Sequence, residues 1–206
     1  MKKHIIPIIL LSLVSTAQAA LTIYVYDTGP NLGVTATGQL DLTGLTFGGT
    51  LNSYSGDFIA TGGPNVVNIA PGANFDFYSN FISYPANFGA GGGSVSGLGA
   101  VGDTFFVQGD DGGGFTPYVG VPAGYNAAPY VLNFSKVYAG QSIASLMATP
   151  GTYSWIWGAD SVNVLIGTAP PVAPVPEPAQ IITMIGFCSL AGILWVRRIR
   201  KSKQSA

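Results

Sequence analysis

Hydrophobic and polar residues alternate with period two over much of the chain. Leu21, Ile23 and Val25 alternate with Thr22, Tyr24 and Tyr26, and Val162, Val164 and Ile166 alternate with Asn163 and Leu165. Tyr153, Trp155 and Trp157 interleave with Ser154 and Ile156 in the same way. Successive side chains of a strand point to opposite faces, so this pattern predicts half-buried β-strands rather than helices. Further strands are predicted at 34–42, 45–51, 65–69, 75–84, 104–108 and 129–134, separated by Gly, Asn, Asp and Pro clusters that suit turns. Only 141–148 has the character of a turn or two of helix. Many short strands joined by glycine-rich turns predict an all-β fold: a β-sandwich, jelly-roll-like, with a partly closed barrel as the alternative. About 150 residues suffice to bury a core without disulfides.

The pattern changes at both ends. Lys2 and Lys3 precede an apolar run from Ile5 to Val14 and then Ala17-Gln18-Ala19, the small-x-small arrangement read by signal peptidase. Cleavage after Ala19 makes 1–19 a signal peptide and Ala20 the new N-terminus. A permanent N-terminal anchor is disfavoured, because an apolar core of about ten residues is too short to cross a bilayer of ~30 Å. At the other end, 179–196 carries no charge and would rise about 27 Å as a helix, close to the minimum span. Arg197, Arg198, Arg200, Lys201 and Lys203 follow it at once. Positive charge stays on the cytoplasmic side, so 197–206 reads as a basic cytoplasmic tail and everything before 179 lies across the inner membrane. The expected order is signal peptide 1–19, exported domain 20–169, proline-rich linker 170–178, transmembrane helix 179–196 and tail 197–206. Cys188, the sole cysteine, falls within the span, so no disulfide is expected in the exported part.

Sorting the charges by position changes the picture again. Only 8% of residues are charged, against a typical ~25%. Between 20 and 174 the one basic residue is Lys136, set against eight aspartates, so that stretch stands at −7 although the whole chain is at −1. A nucleic-acid partner is disfavoured, because phosphate binding needs a basic face. Positions that would ordinarily carry Lys or Glu carry Asn, Thr, Ser, Gly and Tyr, a surface suited to neutral sugars. Trp155 and Trp157 are candidate glycan contacts, with packing in the core as the alternative reading of the same pair.

Catalytic constellations are easier to exclude than to find. His4, the only histidine, leaves with the signal peptide, and no Arg precedes 197. Ser-His-Asp and Cys-His arrangements and His/Cys zinc sites therefore lack their parts. A paired-carboxylate hydrolase would need two aspartates. No enzyme activity, cofactor or metal is expected. Gly97-Leu98-Gly99-Ala100-Val101-Gly102 fits G-x-G-x-x-G but precedes a predicted strand, not a helix, which favours a loop. Asp103, Asp110 and Asp111 offer carboxylates for calcium but lack the spacing of known calcium loops, and Gly109 to Gly114 reads as a hairpin turn. Asn133-Phe134-Ser135 matches N-x-S within a predicted strand.

The linker carries the most specific signal. Pro170 to Pro178 is a stiff proline-rich segment, and Glu177, the only glutamate, sits between Pro176 and Pro178 directly before the apolar stretch. Val175-Pro176-Glu177-Pro178, the apolar helix and the cluster from Arg197 to Lys203 together resemble the PEP-CTERM sorting signal of Gram-negative exopolysaccharide-producing bacteria. The resemblance implies that an integral-membrane exosortase recognises Pro176-Glu177-Pro178 and processes the chain there. The chain would be its substrate, would occupy the inner membrane only transiently, and would end in the cell envelope or extracellular matrix in contact with exopolysaccharide and biofilm. The competing reading is a permanent single-pass anchor with a proline stalk. A second likeness covers Val121 to Tyr125, Ile143 to Leu146, and Pro150-Gly151-Thr152-Tyr153-Ser154-Trp155-Ile156-Trp157-Gly158 with Asp160-Ser161. It is similar to a segment shared by a group of PEP-CTERM proteins of unknown role and implies no activity.

Overall fold

The computed structural model describes residues 20–89, 93–96, 101–110, 116–126, 130–158 and 160–171. The expected signal peptide, the sorting motif, the transmembrane stretch 179–196 and the basic cluster lie outside these residues. The chain divides into two compact units, Met1–Pro170 and Pro171–Ala206, and the described strands belong to the first.

That unit is all β, with ten strands and no helix among the described residues. β1 (Ala20–Asp27), β2 (Leu32–Gly38), β8 (Leu132–Tyr138), β9 (Gly151–Trp157) and β10 (Asp160–Ile166) form one sheet in the order β8-β2-β1-β10-β9. β3 (Thr46–Ala60), β4 (Asn65–Ser79), β5 (Ser94–Ser96), β6 (Phe105–Gln108) and β7 (Tyr118–Pro122) form the second, in the order β5-β3-β4-β6-β7. The predicted alternation places the core: Leu21, Ile23, Val25, Val162 and Val164 are fully buried, and so are Phe105, Val107, Val119 and Val121 from the facing sheet. The two layers packed on one core are a sandwich-like arrangement.

Every pairing is antiparallel except the central one, in which β1 runs parallel to β10 with Ala20 opposite Ser161 and Val25 opposite Ile166. A jelly roll is wholly antiparallel, so this pair sets the first sheet apart from the expected connectivity. The sheet edges are managed locally. Ile82 donates its N–H to the Ile156 carbonyl at 2.7 Å and Ile156 donates back to Ser83 at 2.9 Å, so the segment after β4 covers the outer edge of β9. On the opposite edge, the Asp103 N–H donates to the Asn133 carbonyl at 2.9 Å. Lys136 on β8 occupies an inward-facing position beside Phe134 and Tyr138, a device that discourages edge-to-edge pairing.

The second sheet differs most from expectation. Strands predicted at 65–69 and 75–84 join in one strand, β4, which passes through Pro71-Gly72, where Gly72 has φ 71°, and ends at Ser79, short of the predicted 84. Its first part pairs with β6 (Asn65 opposite Gln108), its last with β7 (Phe75 opposite Pro122), and β6 pairs with β7. The three strands therefore close on one another. A separate apolar cluster of Val67, Ile69, Phe75 and Phe106 fills this coil, with Phe77 and Tyr118 against it. Gly120 stands opposite both Phe106 and Phe77, and a Cβ there would fall 1.7 Å from Phe106 Cε1. Glycine is needed because the ring lies over the backbone. Gly120→Ala is expected to cost about 1–3 kcal/mol through overpacking, read as a lower urea midpoint at unchanged m. Shortening Phe106 to Leu in the same chain should return part of the loss.

The segment 141–148 is a turn rather than a helix, closed by Leu146 N–H to Ser142 O at 3.1 Å and Ala148 N–H to Ile143 O at 3.2 Å. Met147 at φ 55° ends it.

Candidate functional site

Strands β9 and β10 place the two tryptophans. Alternation sets Trp155 and Trp157 on the same parity as Tyr153, and the register opposite Val162 and Asp160 turns that parity inward. Both indoles are fully buried. Trp155 Nε1 donates to the Gln108 carbonyl at 3.1 Å, and Trp157 Nε1 donates to the Asp41 carbonyl at 2.7 Å. Phe88 meets Trp155 edge-on at 5.8 Å between ring centroids, and Phe81 meets Trp157 at 5.7 Å. Neither ring presents a face to solvent, so the glycan contact expected of Trp155 and Trp157 is corrected to a core role. Each ring with its N–H ties the first sheet to a loop or strand of the other layer.

The aspartates also act as local ties. Asp160, 7% exposed at the start of β10, accepts the Asp41 N–H at 2.6 Å on one oxygen and the Ser161 N–H at 2.7 Å on the other. Asp41 in turn accepts from Thr43 N–H at 2.9 Å. Together with Trp157 on Asp41 O, the Asp160 bond holds the loop between β2 and β3 against the end of β9 and the start of β10, and the Leu40 N–H given to Tyr125 Oη at 2.8 Å ties the same loop to the segment after β7. Burial pushes the Asp160 carboxyl above its ordinary 3.8, against the two N–H bonds that favour its charged form. Hydrogen bonds from the Thr43 side chain and backbone hold Asp41 below 3.8.

The linkage signs are opposite. Asp160 binds its proton more tightly when folded, so it costs stability progressively as pH rises from 3.8 through its raised folded value. Asp41 contributes stability above 3.8 that is lost as pH falls through its lowered folded value. In urea titrations from pH 3 to pH 7 the stability of the wild-type chain relative to Asp160→Asn is expected to be most favourable at the acid end and to decline toward neutrality. A difference independent of pH would show that Asp160 carries no burial penalty.

Asp103 and Asp110 flank β6 at opposite ends, separated by seven positions of extended chain, roughly 20 Å at ~3.3 Å per residue. The Asp103 carboxylate is engaged by the Tyr130 hydroxyl and, at 2.7 Å, by the Asn133 N–H. That hydrogen bond, ahead of burial, pushes Tyr130 up to about 12. No group of three or more metal-ligating acids, histidines or cysteines occurs among the described residues. Asp111 and the glycines after it lie outside them, as do Gly97 to Ala100. Gly102 lies in a bridge to Phe134 and leads into β6, so the end of the G-x-G-x-x-G run that is described feeds a strand. Asn133 and Ser135 are exposed on β8. Ala20, the residue after the expected signal cleavage, opens β1, whereas Ala17 and Ala19 are outside the described residues.

The groove that sequence reasoning missed lies between β5 and β8. Val95, Ser96, Lys136, Tyr138 and Gln141 line a space of about 290 Å³. Lys136 Nζ stands 5.5 Å from the centroid of the Tyr138 ring, burial lowers the lysine's pKa, and burial also raises Tyr138 to about 12. The lining supplies one cation, Lys136, two hydroxyls, Ser96 and Tyr138, and the amide of Gln141. No helix of the described residues is long and apolar enough to cross a membrane. Comparison with protein families, with curated proteins and with solved structures returned no match.

Proposed function

We propose that the chain is an exported, non-enzymatic β-sandwich protein carrying a PEP-CTERM sorting signal, processed by an exosortase and delivered to the cell envelope or extracellular matrix in association with exopolysaccharide. The observation that carries this reading is the three-part order at the C-terminus: Val175-Pro176-Glu177-Pro178, the charge-free stretch 179–196, and Arg197, Arg198, Arg200, Lys201 and Lys203. Its placement supports it further. The last strand among the described residues ends at Ile166, so the motif comes after the paired strands in the sequence.

Because 20–170 contains no His, Cys or Arg, the function is assigned to binding and assembly. The carbohydrate-binding alternative is favoured by the low charge of that region. The deciding experiment is intact mass with C-terminal peptide mapping on protein recovered from the matrix or outer envelope of its native host. A product that starts at Ala20 and ends near Pro176 to Pro178 is expected. Recovery in the inner membrane with 179–206 still attached would replace the sorting reading with a permanent single-pass anchor.

A further inference from the structure

Charged side chains in a sheet with one solvated face ordinarily point outward. In the first sheet the reverse holds. Its strands contain Asp27, Lys136 and Asp160, and each shares parity with the core residues of its strand. The outward parity carries no charge. One row across the strands reads Ser135, Thr35, Tyr24, Leu165 and Thr152, and the next reads Asn133, Thr37, Thr22, Asn163 and Ser154. With strands ~4.8 Å apart this face is roughly 20 Å across.

Two features order it. Tyr26 stands opposite Gly33, and a Cβ at Gly33 would fall 3.0 Å from Tyr26 Cζ and 3.2 Å from Cε2, so the phenol ring lies over the sheet backbone. Tyr24 is on the same face, about 7 Å along β1. Beside them Ser154 Oγ donates to Asn163 Oδ1 at 2.6 Å and Asn163 Nδ2 donates to Ser161 Oγ at 3.2 Å, which fixes an amide between two hydroxyls.

We propose that this outward face, centred on Tyr24 and Tyr26, binds a neutral polysaccharide. Tyrosine rings offer an apolar face to sugar C–H groups, and oriented hydroxyls and amides take sugar hydroxyls. A face without charge neither attracts an ionic polymer nor loses hydration of ions when a neutral one covers it. A second copy fits worse. Homodimer interfaces are about 65% apolar, whereas the aliphatic side chains here, Val137, Leu165 and Ile156, stand apart on β8, β10 and β9. The inference deepens the matrix reading, on which it rests for access to such a polymer, and its test does not depend on sorting.

The test is a pull-down of the detergent-solubilised full chain on insoluble cellulose, β-1,3-glucan and amylose, with alginate beads as the anionic comparison. Retention on at least one neutral polymer is expected, falling tenfold or more in Tyr24→Ala/Tyr26→Ala and unchanged in Tyr84→Ala, whose ring is exposed elsewhere. Thr37→Asp, an exposed position on the same face, should cut retention similarly without removing a ring, which separates loss of binding from loss of fold. No retention of the wild-type chain, retention that survives both changes, or equal retention on alginate would overturn the proposal. So would concentration-dependent dimers dissociated by the same substitutions in a chain that binds no polymer.

Discussion

Trp157→Ala is expected to cost about 3–5 kcal/mol, a large part of the ~5–15 kcal/mol by which a domain is ordinarily stable. Three losses combine. The ring is fully buried, so its removal opens a cavity where β9 meets the second layer. The edge contact with Phe81 at 5.7 Å disappears. The Asp41 carbonyl loses the 2.7 Å bond that holds the loop after β2, and such a bond ordinarily contributes about 0.5–1.5 kcal/mol. Trp157→Phe narrows the comparison, because it keeps an aromatic ring in the site while it removes the donor and part of the ring volume. Urea unfolding should rank wild type above Trp157→Phe above Trp157→Ala. An alanine variant as stable as wild type would place the indole outside the core.

The second large effect falls on the sorting signal. On the proposed reading, Glu177→Gln abolishes processing: the chain keeps residues 179–206 and stays in the membrane fraction of its native host. On that reading the two prolines, Pro176 and Pro178, are what restrict position 177, since proline fixes its own φ and disfavours the helical region for the residue before it. The substitution preserves that frame and the length of the side chain and removes only the charge. Mass analysis would then show one species bearing the tail. A correctly trimmed Glu177→Gln chain would mean that the carboxylate is not what is recognised.

The strands that could be read from sequence are those with strict alternation. The runs around Ile23, Trp155 and Val164 are strands β1, β9 and β10. β7 was invisible because its five residues include Gly120 and Pro122, both of which read as punctuation, although Gly120 is there to let Phe106 cross the backbone. Pro71-Gly72 read as a break for the same reason, and the chain instead turns there and continues. Alternation assigned Trp155 and Trp157 to one face but could not say which face is inward. That is set by acceptors far away in sequence, Gln108 O and Asp41 O. The outward face containing Tyr24 was visible strand by strand, but its freedom from charge appears only when five strands are laid in register. The groove beside Lys136 joins β5 to β8 and has no local sequence signature.

The parallel pairing of β1 with β10 gives the sandwich a mechanical axis. Ala20 begins β1 at one pole beside Ser161, and β10 leaves at Ile166 from the other pole beside Val25. Tension applied between these two ends pulls the adjacent strands lengthwise past one another. It loads the six paired positions together in shear rather than opening them one after another like a zipper. A chain gripped by a polymer on its face and held through its C-terminal linker would carry force along β10 itself, the strand that closes the centre of the sheet.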